Sequence, residues 1–156
     1  MKKLVLIAFV LMLGIQPGKA QDIQELSFPE LEVRNADEPR YTLVFLYTDW
    51  CRFCAAMKQT TFKDQEVIDL LNEKLYYVPF NGESKEEVVF LGRSFKYTAT
   101  GSKTGIHQLA EQLGRMDGQV AYPTTVILDS DYQIVFQHNA FLSAQELVQI
   151  LKAATE

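Results

Sequence analysis

The two cysteines of this 156-residue chain, Cys51 and Cys54, stand three positions apart. A disulfide that closes so short a loop restricts the unfolded chain little: the chain-entropy model gives about 2 kcal/mol, against about 3 kcal/mol for a loop of 15 residues. The same C-x-x-C arrangement lets one thiolate attack a disulfide while the second thiol releases the product. The spacing therefore favours thiol–disulfide exchange over a disulfide that only stabilises the fold.

A C-x-x-C pair is also half of many zinc sites. A structural zinc ion needs four ligands, and the two histidines of the chain, His107 and His138, are not spaced as a ligand pair. We therefore expect no metal at the cysteines, and thiol–disulfide exchange needs no other cofactor. A metal carrier stays open as an alternative.

The residues beside the cysteines suit a reactive thiol. Arg52 places a positive charge next to Cys51 and is expected to stabilise its thiolate. Trp50 and Phe53 add large apolar side chains around the same sulfur. We predict that Trp50, Arg52 and Phe53 contact the substrate, with ordinary core packing as the alternative for the two aromatic residues.

The elements around the cysteines place them at the start of a helix. Tyr41 to Tyr47 is a near-continuous run of aromatic and branched residues, which predicts a buried strand. Thr48 and Asp49 end that strand, so Cys51 is predicted to lie in the first turn of the helix that follows. Free backbone N–H groups and the positive end of the helix dipole favour a thiolate there, and Cys54 lies one turn deeper.

Periodicity and turn residues predict an α/β structure in which helices cover a central sheet. The other predicted elements are a short helix near residues 23–26, a loop over 35–39, a helix capped by Asp64, a strand over 75–80, a helix over 106–113 ended by Gly114, strands over 124–128 and 133–136, and a last helix with the capping box Ser143 and Glu146.

A proline stands where the later hairpin begins, in Tyr122-Pro123-Thr124. The first residue of a strand is the place where the missing N–H of proline costs least. A cis peptide bond is commonest in tight junctions of this kind, and a trans proline that merely opens the strand is the alternative.

The run Trp50-Cys51-Arg52-Phe53-Cys54 after a hydrophobic strand, followed later by Tyr122-Pro123-Thr124, resembles thioredoxin-like proteins. The segment from Tyr47 to Cys51, continued by Thr61-Phe62, Asp64 and Val67, looks most like the C-terminal domain of the bacterial membrane thiol–disulfide interchange reductase and its exported relatives. The resemblance implies a thioredoxin-like fold with a central mixed sheet flanked by helices. It also implies a thiol–disulfide oxidoreductase that acts on protein or peptide disulfides and a redox partner that regenerates the cysteine pair.

For individual residues, the resemblance implies that Pro123 is cis and packs against the cysteine pair, and that the backbone of Tyr122 pairs with an extended substrate peptide. The chain departs from the family at two positions. Phe45 stands where the family often has a buried acid, and Lys58 stands where the resembling reductases have another. Asp49 is the carboxylate nearest to the cysteines in sequence.

The direction of the reaction is open at this stage. A thiolate stabilised by Arg52, without an acid at Phe45, favours an oxidising pair, whereas the resemblance favours a reductase. We expect a reductase. The alternative function is a peptide-binding module whose cysteines form an inert disulfide.

The segment from Glu83 to Lys103 is longer than the basic fold requires and is predicted as an insertion before the cis-proline. We expect a variable loop or an extra hairpin. The alternative is a partner-contact surface formed by Phe90, Arg93, Phe95, Lys96 and Tyr97.

Residues 1–20 read as a signal peptide, because Lys2 and Lys3 precede a short apolar run that ends before Gly18 and Ala20. We therefore expect export, to the periplasm in a Gram-negative cell, and a single thioredoxin-like domain over residues 21–156. Without the three lysines of the leader, 12 basic and 20 acidic side chains remain, a formal charge of −8 against −5 for the whole chain. This charge argues against nucleic-acid binding, and no later segment predicts stable membrane insertion.

Overall fold

The computed structural model describes residues 22–155, and the predicted signal peptide lies outside the described residues. The described chain confirms the predicted α/β class with a mixed sheet. In chain order its elements are α1 (Phe28–Asp37), β1 (Tyr41–Tyr47), α2 (Arg52–Gln59), a 3₁₀ turn (Thr61–Lys63), α3 (Gln65–Glu73), β2 (Leu75–Asn81), β3 (Val88–Phe90), β4 (Arg93–Phe95), β5 (Tyr97–Ala99), β6 (Gly105–His107), α4 (Gln108–Gly114), β7 (Arg115–Met116), β8 (Gln119–Val120), β9 (Thr124–Leu128), β10 (Ile134–His138) and α5 (Ala144–Thr155).

The main sheet has four strands in the order β10-β9-β1-β2. β1 runs parallel to β2 and antiparallel to β9, and Leu46 of β1 lies opposite Thr124 of β9. β10 pairs with the outer side of β9, with an irregularity between Ile134 and Phe136. The central position of β1 explains why Thr42 to Leu46 are all buried, as its apolar sequence predicts.

β1 sends alternate side chains into two cores, because successive residues of a strand point to opposite faces of a sheet. Leu43 and Phe45 join both cysteines and the buried faces of α2, α3 and α5 in one cluster, which we call the cysteine-side core. Val44 and Leu46 join α1, α4 and the β3–β4 hairpin on the other face, in what we call the insertion-side core. The cysteine pair therefore belongs to only one of the two layers.

The predicted caps of α3 and α5 are present. The Asp64 carboxylate accepts hydrogen bonds from the backbone N–H groups of Glu66 and Val67. At α5, Ser143 and Glu146 form the reciprocal pair: the Glu146 carboxylate accepts the Ser143 backbone N–H at 2.8 Å, and the Ser143 hydroxyl oxygen lies 3.4 Å from the Glu146 nitrogen. Such caps satisfy backbone donors that a helix start leaves free.

The predictions for the residues before β1 are wrong. Residues 23–26 are not a helix: Glu25 forms an isolated parallel bridge with Tyr77 of β2, and the Leu26 N–H donates to the Tyr77 carbonyl at 2.9 Å. The helix begins at Phe28 and runs on to Asp37, through part of the predicted loop. It continues because Asn35 is buried and its amide donates to the Ser130 carbonyl and accepts the N–H of Arg40.

Two other boundaries differ from the prediction. The helix predicted over residues 106–113 begins at Gln108, because Ile106 belongs to β6 and the His107 side chain caps the helix. The last strand runs from Ile134 to His138 rather than over 133–136, since Gln133 closes a turn by donating its N–H to the Asp129 carboxylate.

The insertion contains the hairpin β3–β4 and the strand β5, which pairs with β6 just after the insertion, so the extra-hairpin prediction describes it better than a loop. The first hairpin turns at Leu91 and Gly92, both with positive φ. Within residues 22–155, no helix is both long enough and apolar enough to cross a membrane.

Candidate active site

Cys51 is the N-cap of α2, one position earlier than predicted. Its sulfur accepts the backbone N–H of Cys54 at 3.1 Å, and its carbonyl accepts the N–H of Ala55 at 3.1 Å. A turn from Thr48 to Cys51 carries the chain from the end of β1 into this position. The sulfur therefore occupies the place where a serine or aspartate oxygen usually caps a helix, next to free backbone donors that stabilise a thiolate.

The two sulfurs are bonded to each other, with 5.2 Å between the Cα atoms. Cys51 is 6% exposed and Cys54 is 1% exposed, so Cys51 is the less deeply buried residue of the pair. Cys54 lies in the first turn of α2 and packs into the cysteine-side core. The two cysteines therefore differ in position: Cys51 caps the helix, and Cys54 lies inside its first turn.

The three residues predicted to contact the substrate flank the cysteines along the chain, and all three are exposed. Trp50 is 67% exposed and Phe53 is 65% exposed, so neither is a core residue and the packing alternative is wrong for both. Arg52, between the cysteines, is exposed as well. Large exposed aromatic side chains beside a nearly buried sulfur form an apolar surface that a partner can cover.

Trp50 is held in place from two directions. Its indole N–H donates to the Glu83 carboxylate at 3.1 Å, and its ring meets the Tyr122 ring edge to face, with 6.2 Å between the centroids. The Glu83 backbone N–H is itself bound by the side-chain oxygen of Asn81 at 2.9 Å. Sequence reasoning missed Glu83, since nothing local marks a glutamate 33 residues away as the partner of Trp50.

The Tyr122–Pro123 peptide bond is cis, which is the isomer that the resemblance implies. Because Leu46 lies opposite Thr124, the segment before β9 reaches the same end of the sheet as the chain that leaves β1 for the cysteines. The Tyr122 ring packs against both cores, and its hydroxyl is buried without a hydrogen-bond partner. Burial, with a smaller contribution from the Glu83 charge, raises the pKa of Tyr122 to about 12.

The region where the family often has a buried acid is apolar in this chain. Phe45 is fully buried and packs its ring on Phe62 at 4.8 Å. The Lys58 ammonium lies 3.0 Å from the centroid of the Tyr47 ring, and burial lowers the pKa of Lys58, while the charges of Asp49 and Glu25 oppose that shift. Such a cation over an aromatic face is stabilised by the ring quadrupole.

Lys58 also lines an open cleft of about 520 Å³, together with Glu25, Tyr47 and Lys63. Asp49 is exposed, and its carboxylate accepts a hydrogen bond from the Asn81 amide at 3.2 Å. Asp49 is therefore held towards the start of the insertion. No described contact joins Asp49 to the sulfur of Cys54.

The two histidines lie apart from the cysteines in structural positions. His107 is fully buried, and its Nδ1 accepts the Leu109 N–H at 3.1 Å to cap α4. His138 lies in β10 with its ring against that of Phe136. Among residues 22–155, no three histidine, cysteine, aspartate or glutamate side chains come together as a metal site.

Two of the three aromatic residues predicted for a contact surface on the insertion are core residues, while Tyr97 is partly exposed. Phe90 and Phe95 are buried, and Phe90 packs against Phe28 and Tyr132. The partner-surface alternative is therefore wrong for these two phenylalanines. Exposed Lys96 forms an ion pair with Glu87 at 3.4 Å within the insertion itself.

Comparisons with solved structures support the same fold. The DsbH oxidoreductase superposes with a TM-score of 0.63 at 17% identity, covering 92% of each chain. A thioredoxin from Thermus thermophilus gives 0.60 at 18% identity, covering 86% of this chain and 88% of its own. A candidate disulphide-isomerase from Bacteroides thetaiotaomicron gives 0.59 at 26% identity, covering 89% and 98%.

A search of curated proteins found no significant match. A sequence profile of the thioredoxin-like domain, however, matches residues 30–155 and so covers both cysteines, Pro123 and every strand of the main sheet. Together with the fold and the C-x-x-C pair at the start of α2, this match shows that the chain belongs to the thioredoxin-like domain family.

Proposed function

We propose that this protein is an exported thiol–disulfide oxidoreductase that reduces disulfides in protein substrates. The observation that carries the proposal is the position of the Cys51 sulfur. It caps α2 by accepting the Cys54 N–H, and the chain carries exposed aromatic side chains on both sides of it, at Trp50 and Phe53. A helix start favours the thiolate that attacks disulfides, and the exposed aromatic side chains offer a surface for the polypeptide that carries one.

In the proposed reaction, the reduced pair gives two electrons to the substrate. The Cys51 thiolate attacks one sulfur of a substrate disulfide, the substrate S–S bond breaks, and the departing substrate thiolate takes a proton from water. The Cys54 thiol then gives its proton to water and attacks the Cys51 sulfur, which breaks the mixed disulfide. The second substrate sulfur leaves as a thiolate and takes a proton from water, and the Cys51–Cys54 disulfide remains for a donor dithiol to reduce.

The substrate is proposed to bind as an extended segment beside Tyr122 and Pro123. This segment stands just before β9, where its backbone is outside the pairing of β9 with β1. Main-chain hydrogen bonds to such a segment give broad peptide recognition, and Trp50, Arg52 and Phe53 would contact the side chains that flank the substrate cysteine.

The decisive experiment follows the reduction of insulin disulfides by the protein in the presence of dithiothreitol. The expected result is a rate well above that of Cys51→Ser, whose hydroxyl still caps α2 but cannot exchange. Cys54→Ser should accumulate a mixed disulfide through Cys51. If the wild-type rate does not exceed that of Cys51→Ser, the proposed activity is wrong.

The direction of the reaction is tested by the reduction potential. A reductase should lie near the potential of thioredoxin, about −270 mV, and a strong oxidant near that of DsbA, about −120 mV. The measurement is an equilibrium titration against glutathione, read by mass spectrometry of alkylated protein. A value near that of the strong oxidant would reverse the proposed direction.

The second candidate is a peptide-binding module with an inert disulfide, and the burial of both cysteines favours it, since they are 6% and 1% exposed. An inert bridge would stay oxidised at potentials below about −300 mV, so the same titration separates the two functions.

Export is proposed from the leader sequence. Cell fractionation with an antibody against the mature chain tests it, and periplasmic protein shortened by about 20 residues is the expected result.

A further inference from the structure

We propose that Glu83 is a positioning residue for the substrate-binding face of Trp50, so that the first residues of the insertion set the affinity of the site. This inference rests on one part of the proposed function, the binding of a polypeptide at the face of Trp50. The structure joins three segments that are distant in sequence: Trp50 from the cysteine loop, Glu83 from the insertion and Tyr122 from the loop before β9.

Because Trp50 is largely exposed, its orientation must come from specific contacts rather than from core packing. With 67% of its surface exposed, the indole has little packing of its own to choose one rotamer. The hydrogen bond to Glu83 holds the N–H edge, and the ring of Tyr122 meets the indole at 84°. These two contacts leave the rest of the indole facing the solvent beside Cys51.

Glu83 is itself fixed by the backbone around it. Its N–H donates to the Asn81 side chain, and the preceding residue, Gly82, is bonded on both sides: its N–H donates to the Tyr47 carbonyl, and its carbonyl accepts the His107 N–H, each at 2.8 Å. The backbone that carries the Glu83 carboxylate is therefore held in place by these hydrogen bonds. The carboxylate can orient Trp50 before a substrate arrives, which lowers the entropy cost of binding.

Glu83 is not proposed to take part in the sulfur chemistry. Its described contact at the site is with the indole nitrogen, and neither cysteine is among its hydrogen-bond partners. Loss of the carboxylate should therefore weaken substrate binding and leave the rate of the bound complex nearly unchanged. This is the pattern of an interaction made equally in the ground state and the transition state.

The experiment compares three variants of the protein in the insulin assay. Glu83→Ala removes the acceptor and should raise KM about three- to tenfold with little change in kcat, the effect of one lost hydrogen bond. Glu83→Gln keeps an oxygen that can accept the indole N–H and should recover most of the affinity. Glu86→Ala is the matched control, because its exposed side chain lies in the same segment and makes no described contact with Trp50.

Two further readouts separate this inference from the proposed activity. Trp50 is the only tryptophan, so the fluorescence of the chain reports its surroundings directly, and Glu83→Ala should shift the emission to longer wavelength as the indole becomes more hydrated. Binding of the oxidised protein to insulin B chain with carboxymethylated cysteines measures affinity without any exchange. It should weaken in Glu83→Ala by the same factor as KM.

The outcomes are distinguishable. If the wild type reduces no insulin but the blocked B chain binds more weakly to Glu83→Ala than to Glu83→Gln, the oxidoreductase proposal fails and the positioning role stands. Equal affinity and equal emission in Glu83→Ala and the wild type would overturn the positioning role. So would a loss confined to kcat, or an absence of B-chain binding in the wild type.

Discussion

The helices α2 and α4 both begin on side chains that are unusual for a helix start. The Cys51 sulfur accepts the Cys54 N–H at the start of α2, and the His107 Nδ1 accepts the Leu109 N–H at the start of α4, both at 3.1 Å. Each cap satisfies a backbone donor that the first turn cannot satisfy itself. The same cap geometry thus occurs twice, formed by cysteine and by histidine, two residue types that often take part in catalysis.

The surroundings of the two caps differ. Cys51 borders the exposed side chains of Trp50 and Phe53, whereas His107 is covered by the Phe80 ring, with 4.9 Å between the ring centroids. Since the His107 Nδ1 accepts a hydrogen bond, its Nε2 carries the proton and donates to the Glu86 carbonyl at 3.1 Å. Both ring nitrogens of His107 are therefore used for structure. The two caps therefore differ in whether a partner molecule can reach them. This difference, rather than the residue type, makes the start of α2 the candidate reactive site.

Gly82 connects the two helix starts. Its N–H bonds to Tyr47, at the end of the strand that leads to the cysteines, and its carbonyl bonds to the backbone of His107. The Tyr122 ring lies directly against it, so that a methyl group added at Gly82 would stand 2.0 Å from the phenol oxygen. The comparison between the two caps can be tested first at this shared residue.

Gly82→Ala is expected to have the largest effect on stability, because Tyr122 must move to make room for the methyl group. The crowding should lower the free energy of unfolding by about 1–3 kcal/mol, and the displaced Tyr122 should also weaken peptide binding. Urea unfolding followed by circular dichroism measures the first effect.

The control for Gly82→Ala is a double-mutant cycle with Tyr122→Ala. Once the tyrosine ring is absent, the added methyl group should cost much less, because its three nearest neighbours in the wild type are atoms of Tyr122. An equal cost of Gly82→Ala with and without the tyrosine would show that the crowding lies elsewhere.

His107→Ala should have the next largest effect and lower the free energy of unfolding by about 0.5–2 kcal/mol, because the helix cap is missing. The specific activity of the folded protein should stay close to that of the wild type, since the α4 cap is structural. His138→Ala is the matched control, because its side chain caps no helix. A loss of activity larger than the loss of folded protein would show that α4 and the cysteines are coupled, contrary to the comparison.

How far the sequence predicts these two starts depends on how local their signals are. The α2 start follows from a buried strand, a short turn and the cysteine spacing, all within 14 residues. The α4 start was missed because histidine is not among the residues that usually cap helices, and its bond to Glu86 joins positions 21 residues apart.

The errors before β1 have a different origin. The sequence Ser27-Phe28-Pro29-Glu30 is a capping box with proline in the first turn, and it could have located the start of α1. The end of α1 could not be read, because Asn35 stays helical through a bond to Ser130, 95 residues later. Local chemistry predicts helix starts better than helix ends when a distant partner decides the end.

The His107 cap can also be tested by the pH dependence of the free energy of unfolding, with a smaller expected effect than that of removing the side chain. Burial lowers the pKa of His107 below its ordinary value of 6.5, so the unfolded chain binds more protons than the folded one as the pH falls through that value. Stability contributed by neutral His107 is therefore complete above pH 6.5 and decreases as the pH falls towards the lower pKa of the folded state.

The measurement is urea unfolding at several pH values between 7.5 and 5. His107→Asn should lose the decrease, because asparagine can still cap α4 but does not titrate, while His138→Asn should keep it. The glutamates with lowered pKa, such as Glu30 and Glu146, respond below their ordinary value of 4.5 and so outside this window. A wild-type stability that rises on acidification from pH 7 to 5 would contradict the assignment of His107.

Arg52→Gln should produce the smallest effect, at the reactive cap. The guanidinium is exposed next to Cys51, so solvent screens its interaction with the thiolate, and such surface charges contribute about 0.2–1 kcal/mol. The reduced protein should therefore react about twofold more slowly with iodoacetamide at pH 7. Arg93→Gln, which removes an exposed arginine of the insertion, should react at the wild-type rate. Because 1 M salt shortens the screening length to about 3 Å, it should bring the wild type and Arg52→Gln together. A difference that survives at this salt concentration would mean that Arg52 acts through contact with the cysteine loop rather than through its charge.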